Sequence, residues 1–127
     1  MKLKFIDVDL NPKKPRATIH LSGKLGFNKD AAELMNLSKK SFMQMAKDED
    51  TDNVYLFPVD FPEKTARVAK AGSYYYLNVG NAFELLDFDY KKYSITFAIA
   101  ADTYNNQELF KLTPVIQTER TGEEEED

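Results

Sequence analysis

The chain has 127 residues, 43% hydrophobic and 13% aromatic, too apolar for a wholly disordered polypeptide and sufficient for one compact domain with a real core. It has no cysteine, which excludes a disulfide framework and any thiolate metal site, and nowhere do about 18 apolar residues run together as a membrane span requires. The net charge of −4 sits at one end, in Glu123, Glu124, Glu125, Glu126 and Asp127, so the reading is a body over 1–118, a self-repelling disordered acidic tail over 119–127, and a cytoplasmic protein without signal peptide or membrane contact.

In chain order, LKFIDVD (3–9) alternates well enough for an additional edge strand, which NPKKP then breaks with two prolines. ATIHLSGKLGF (17–27) reads as two strands around Ser22-Gly23, glycine tolerating the positive φ of a tight hairpin. Asn28 is placed to cap a short helix in KDAAELMNL, with Asp30 favourable in its first turn and Asn36 suited to the left-handed turn that ends it. SFMQMAKDED and NVYLFPV then alternate as a second hairpin. The alternating apolar residues are Phe42 and, across the turn, Val54 and Leu56 or Tyr55 and Phe57.

Residues 60–65, DFPEKT, interrupt both periodicities and read as a linker. Beyond it the plan recurs: ARVAKAGSYYYLN as hairpin, GNAFELLDF (80–88) as helix, and YSITFAIAAD with ELFKLTPV as a hairpin around TYNNQ. Val68, Tyr74, Tyr76, Ile95, Phe97, Ile99, Phe110 and Leu112 keep period two and are β-branched, aromatic or leucine, so most of the core is expected in this second half. Residues 17–59 and 66–115 can be laid over one another with a few gaps, Gly23, Ala31, Glu33 and Leu34 falling on Gly72, Ala82, Glu84 and Leu85. The predicted fold is therefore mainly β with short helices, a tandem ββαββ repeat closed as a pseudo-two-fold barrel.

At GKLGFNKDAAELMNL (23–37) the sequence resembles the AbrB-type swapped-hairpin superfamily, and two units in one chain resemble its tandem MraZ-like branch. Lys24 stands where that family usually has arginine, Asn28 where proline usually starts the helix, and Ser73 at the basic position of the second copy. The resemblance implies a barrel of interlocked units, no cofactor, and DNA contacted by the basic hairpin surface, as in a transcription regulator.

From the residues themselves, Lys13, Lys14, Arg16, His20 and Lys24 lie in or beside the first hairpin, and Lys64, Arg67 and Lys70 at the matching place in the second. Such cations contribute nucleic-acid affinity by displacing counterions from phosphates, and two matched patches suit a two-fold duplex. Equally, Lys and Arg guard any solvated sheet edge. Phosphate or base contact is assigned to Lys13, Lys14, Arg16, Lys24, Arg67 and Lys70. Tyr74, Tyr75 and Tyr76 could offer a stacking platform beside them, but in a strand one face of this run belongs to the core.

Catalytic signatures are lacking: there is one histidine, no G-x-G-x-x-G, no P-loop and no H-E-x-x-H. His20 reads as a surface or rim residue. The acids Asp48, Glu49, Asp50 and Asp52 lack the central glycine and closing glutamate of a calcium loop and read as a hairpin turn, so no metal or other cofactor is expected. The reading is a non-catalytic nucleic-acid-binding module of regulatory type, with a second copy or a protein as further partners. The alternative is an interaction or structural accessory domain whose exposed Tyr and Phe meet a partner.

Overall fold

The computed structural model describes residues 1–6, 8 and 13–121, which form a mainly β fold with two short helices. In the first hairpin β1 (Arg16–Ile19) returns as β2 (Lys24–Phe27) through a turn in which Gly23 donates to the His20 carbonyl at 2.9 Å. Helix α1 (Lys29–Met35) begins where expected, the Asn28 side chain accepting from the Ala31 amide at 2.8 Å, and ends at Asn36, which takes the left-handed φ of 51°. A single 3-10 turn, Leu37–Lys39, leads to β3 (Phe42–Lys47) and β4 (Val54–Val59). The turn between them is held by its own polar groups: the Asp50 amide donates to Asp48 Oδ1 at 2.9 Å and the Asn53 amide to Thr51 Oγ1 at 3.1 Å.

After the linker come β5 (Ala66–Arg67), β6 (Ala69–Ala71), β7 (Tyr74–Asn78), α2 (Gly80–Leu85), and the long hairpin of β8 (Tyr93–Tyr104) and β9 (Gln107–Glu119). Helix α2 is shorter than predicted, and its N-cap is Val79, which has no side-chain oxygen to cap it. The strand expected over 66–70 is divided at Val68 because it changes partner. Ala66 and Arg67 pair with β3, Ala69 to Ala71 pair with β7, and the Val68 amide itself donates to Ser41.

That change of partner shapes the molecule. The strand order is β5-β3-β4-β9-β8-β1-β2-β7-β6, and since β5 and β6 are consecutive in the chain the two ends of the sheet meet, giving a nearly closed barrel. Hairpin β1–β2 lies between β8 and β7, and hairpin β3–β4 between β9 and β5. Both strand prolines sit where a missing N–H is tolerated: Pro58 beyond the last β4 residue paired with β9, and Pro114 beside the bulge that leaves Val115 opposite nothing.

Three sequence expectations need correction. The predicted strand over 3–9 does not form at residues 3–6 or 8, and Leu3, Phe5, Ile6 and Val8 are exposed. Residues 7 and 9 lie outside the described residues, as does the acidic run from Glu123. The ordered body also passes residue 118, since Glu119 pairs with Tyr93 and the Arg120 guanidinium donates to the carbonyls of Tyr90 at 2.8 Å and Ile19 at 3.0 Å. Finally, the core is not concentrated in the second half: ten of the buried apolar residues lie within 17–56 and ten within 77–112. Val54 and Leu56 of β4 face inward, and Met43 is the fully buried residue of β3. At the centre Phe83 of α2 meets Phe97 of β8 edge-on at 5.8 Å, and each such fully buried ring stabilises the fold by about 1.5–3 kcal/mol. No helix among the described residues is long and apolar enough to cross a membrane.

Candidate nucleic-acid interface

The outer wall of the barrel at β1, β2 and β7 follows from strand alternation. Leu25 and Phe27 of β2 point inward with Leu77 of β7, which turns Lys24 and Gly26 outward beside Asn78 and Tyr76, their register partners. Within the tyrosine run the division is now visible: Tyr75 packs against the core, while Tyr74 and Tyr76 stand on the outer face.

These outward groups assemble through one small residue. The Tyr74 ring lies across Gly26, where a Cβ would collide with its hydroxyl, and that hydroxyl lies 3.0 Å from Nε2 of His20, the residue that follows β1. A glycine inside a strand is the signal that backbone and ring approach closely here, and sequence reading passed over it. Tyr74 and Tyr76 stack, with centroids 6.3 Å apart and planes 25° apart. The Lys24 ammonium stands 4.9 Å from the Tyr76 centroid, a cation–π contact of about 0.5–1 kcal/mol at an exposed site.

The other assigned cations fall in two groups. Arg67 lies over Phe42 at 5.6 Å and Lys70 over Tyr75 at 5.3 Å; like Lys24, neither has a carboxylate within ion-pair distance among the described residues. β2 pairs with β7 and β7 with β6, but directly opposed residues share a face: Lys70 stands opposite Tyr75, so it lies on the other face of these strands from Lys24, Tyr74 and Tyr76.

Lys13, Lys14 and Arg16 instead line the approach to α1. Lys13 donates to Glu33 Oε2 at 2.9 Å and lies 3.8 Å from Asp30. The hydrogen bond to Glu33, then the charges of Glu33 and Asp30, hold the Lys13 ammonium above the usual lysine range. The Lys14 amide donates to Asp30 Oδ2, and the Arg16 guanidinium turns back to the Pro15 carbonyl at 2.8 Å. The six residues are thus not brought together into one patch.

Among the described residues no group of three or more His, Asp or Glu is placed to hold a metal ion. No protein-family model, curated protein or solved structure matches this chain.

Proposed function

We propose that the chain is a non-catalytic nucleic-acid-binding module, of the regulatory type that the AbrB-like segment 23–37 implies, built from two diverged copies of one hairpin–helix–hairpin unit. In support of the interlocked arrangement, each hairpin of residues 16–59 is flanked on both sides by strands of residues 66–119, and exchanging the halves maps the pairs β2·β7 and β4·β9 onto themselves. The contact face is the outer wall carrying Lys24, Tyr74 and Tyr76. The observation that carries this reading is a cation with no carboxylate partner held over a stacked tyrosine pair. Bases stack on such rings while lysine meets phosphate, a combination that favours single strands over duplex.

The test is binding of a 12-nucleotide single-stranded DNA and its duplex across a salt series. The expected result is tighter binding of the single strand, with affinity falling as salt rises and a slope reduced by about one on Lys24→Ala. Preference for duplex would transfer the role to phosphate contacts alone, and absence of binding at low salt would overturn the reading. A protein-interaction role has its own observation: β9 pairs with β4 only over Phe110–Leu112, leaving the outward Val115 and Ile116, 50% and 57% exposed, on a strand free to accept another.

A further inference from the structure

A second site opens between β3, β4 and the start of α2, bordered by the Ser22-Gly23 turn and by Asn78 at the end of β7. A cleft of about 510 Å³ presents the partly exposed apolar side chains of Met45, Ala66 and Ala82, with Met43 and Leu56 buried behind them, and carries the polar side chains of Asn81 and Lys64. This volume is in the range of small-molecule pockets. The glycines at 23 and 80 let two backbones and the Tyr90 hydroxyl meet at its wall: a Cβ on Gly80 would stand 2.7 Å from that hydroxyl, and one on Gly23 would stand 3.0 Å from the Gly80 Cα.

Tyr90 is the informative residue. It is 6% exposed, its amide donates to the Phe88 carbonyl and its own carbonyl accepts from Arg120, so the ring is fixed from both sides of its backbone. Its hydroxyl has no hydrogen-bond partner among the described residues, yet no fully enclosed side-chain oxygen is left unpaired, so the hydroxyl must open onto the cleft. A phenol otherwise surrounded by protein normally finds a partner there. The wall contains no Asp or Glu and one cation, Lys64, although the chain as a whole is acidic.

We propose that this cleft binds a small amphipathic anion, its apolar body against Met45, Ala66 and Ala82 with Met43 behind them, its polar head hydrogen-bonded by the Tyr90 hydroxyl and attracted by Lys64. Methionine suits such a lining because its unbranched, polarizable side chain adapts to irregular apolar surfaces. The site is independent of nucleic-acid binding, and its test contains none.

The full chain is titrated with two fluorescent probes, 1-anilinonaphthalene-8-sulfonate and its uncharged analogue N-phenyl-1-naphthylamine, and the four methionine methyl signals are followed by NMR. The expected result is saturable binding of one sulfonate probe per chain, tighter than the neutral one, with Met43 and Met45 shifting while Met1 and Met35 stay in place. Tyr90→Phe, which preserves volume, should weaken the sulfonate probe about 3- to 10-fold, the loss of one hydrogen bond. Lys64→Met, at an exposed position that cannot unfold the barrel, should remove the preference for the anion. Absence of saturable binding, shifts confined to other methionines, or unchanged affinity in a Tyr90→Phe protein of normal melting temperature would overturn the proposal. Equal affinity for the two probes would overturn the anionic class.

Discussion

Two sets of lysines and arginines, similar in sequence, behave differently in the barrel. Around α1 the chain binds its own cations: Lys13 is held by Glu33 and Asp30, and Arg16 folds back on the carbonyl before it. On the strands Lys24, Arg67 and Lys70 lie over aromatic rings that leave their N–H donors available. A ring orients a cation without neutralising it, whereas a carboxylate satisfies it. The number of basic residues therefore says less about a binding face than the group each one rests on.

The most severe way to break this contrast is to remove the rings. Replacing Tyr74 and Tyr76 together by alanine should lower single-stranded DNA affinity about 30- to 100-fold, as expected from stacking worth about 1–3 kcal/mol per base. Circular dichroism should show an intact fold, since both rings lie outside the core. Gly26→Ala approaches the same end without touching a ring, because the new Cβ displaces the end of Tyr74 from His20; unchanged affinity in both proteins would remove the platform from the mechanism.

Next in size is the support of the α1 side. Asn28 caps α1, accepts from the Arg16 amide at 3.1 Å and donates to the Lys14 carbonyl at 2.8 Å, so it ties the basic arm to the helix. Asn28→Ala should cost about 1–2 kcal/mol in chemical denaturation and leave DNA affinity within twofold. A large loss of affinity would mean that the arm, not the wall, meets the nucleic acid.

The smallest effect concerns Lys13. Its ammonium is raised above the ordinary lysine range, so the pairing with Glu33 is complete below the unfolded lysine pKa and is lost only as pH rises through the folded value. Glu33→Gln should lower the Lys13 titration midpoint, read from its side-chain NMR shifts, while the melting temperature at pH 7 hardly moves because the pair is fully solvated. An unmoved midpoint would show that Asp30 alone holds the lysine.

The local features were legible because they depend on neighbours in sequence. Asn28 as cap, Asn36 as the left-handed stop and the hairpins at Gly23 and around Asp48 to Asn53 all need only a few adjacent residues. What alternation could not supply was which strand lies beside which. Leu25 and Phe27 give the inward face of β2, but nothing in them names β7 as the partner that puts Tyr76 beside Gly26 and under Lys24. For the same reason Tyr90, in the loop after α2, reads as one more aromatic until the fold brings it against the glycines at 23 and 80.

The pairing of β1 with β8 also bears on the order in which this protein becomes structured at the ribosome. Thr18 meets Thr96 at 3.0 Å, hydroxyl to hydroxyl, across 78 positions of sequence, and β4 waits similarly for β9. When residues 16–59 have emerged, their hairpins and α1 exist without the strands that flank them, exposing the faces of Ile19, Leu25 and Leu56. Closure must await synthesis of the final hairpin and pays a long loop entropy first, the circumstance in which β-rich domains fold slowly, on the order of milliseconds to seconds. During that interval the nascent half is a substrate for chaperones, and for the matching half of a neighbouring chain emerging from the same message.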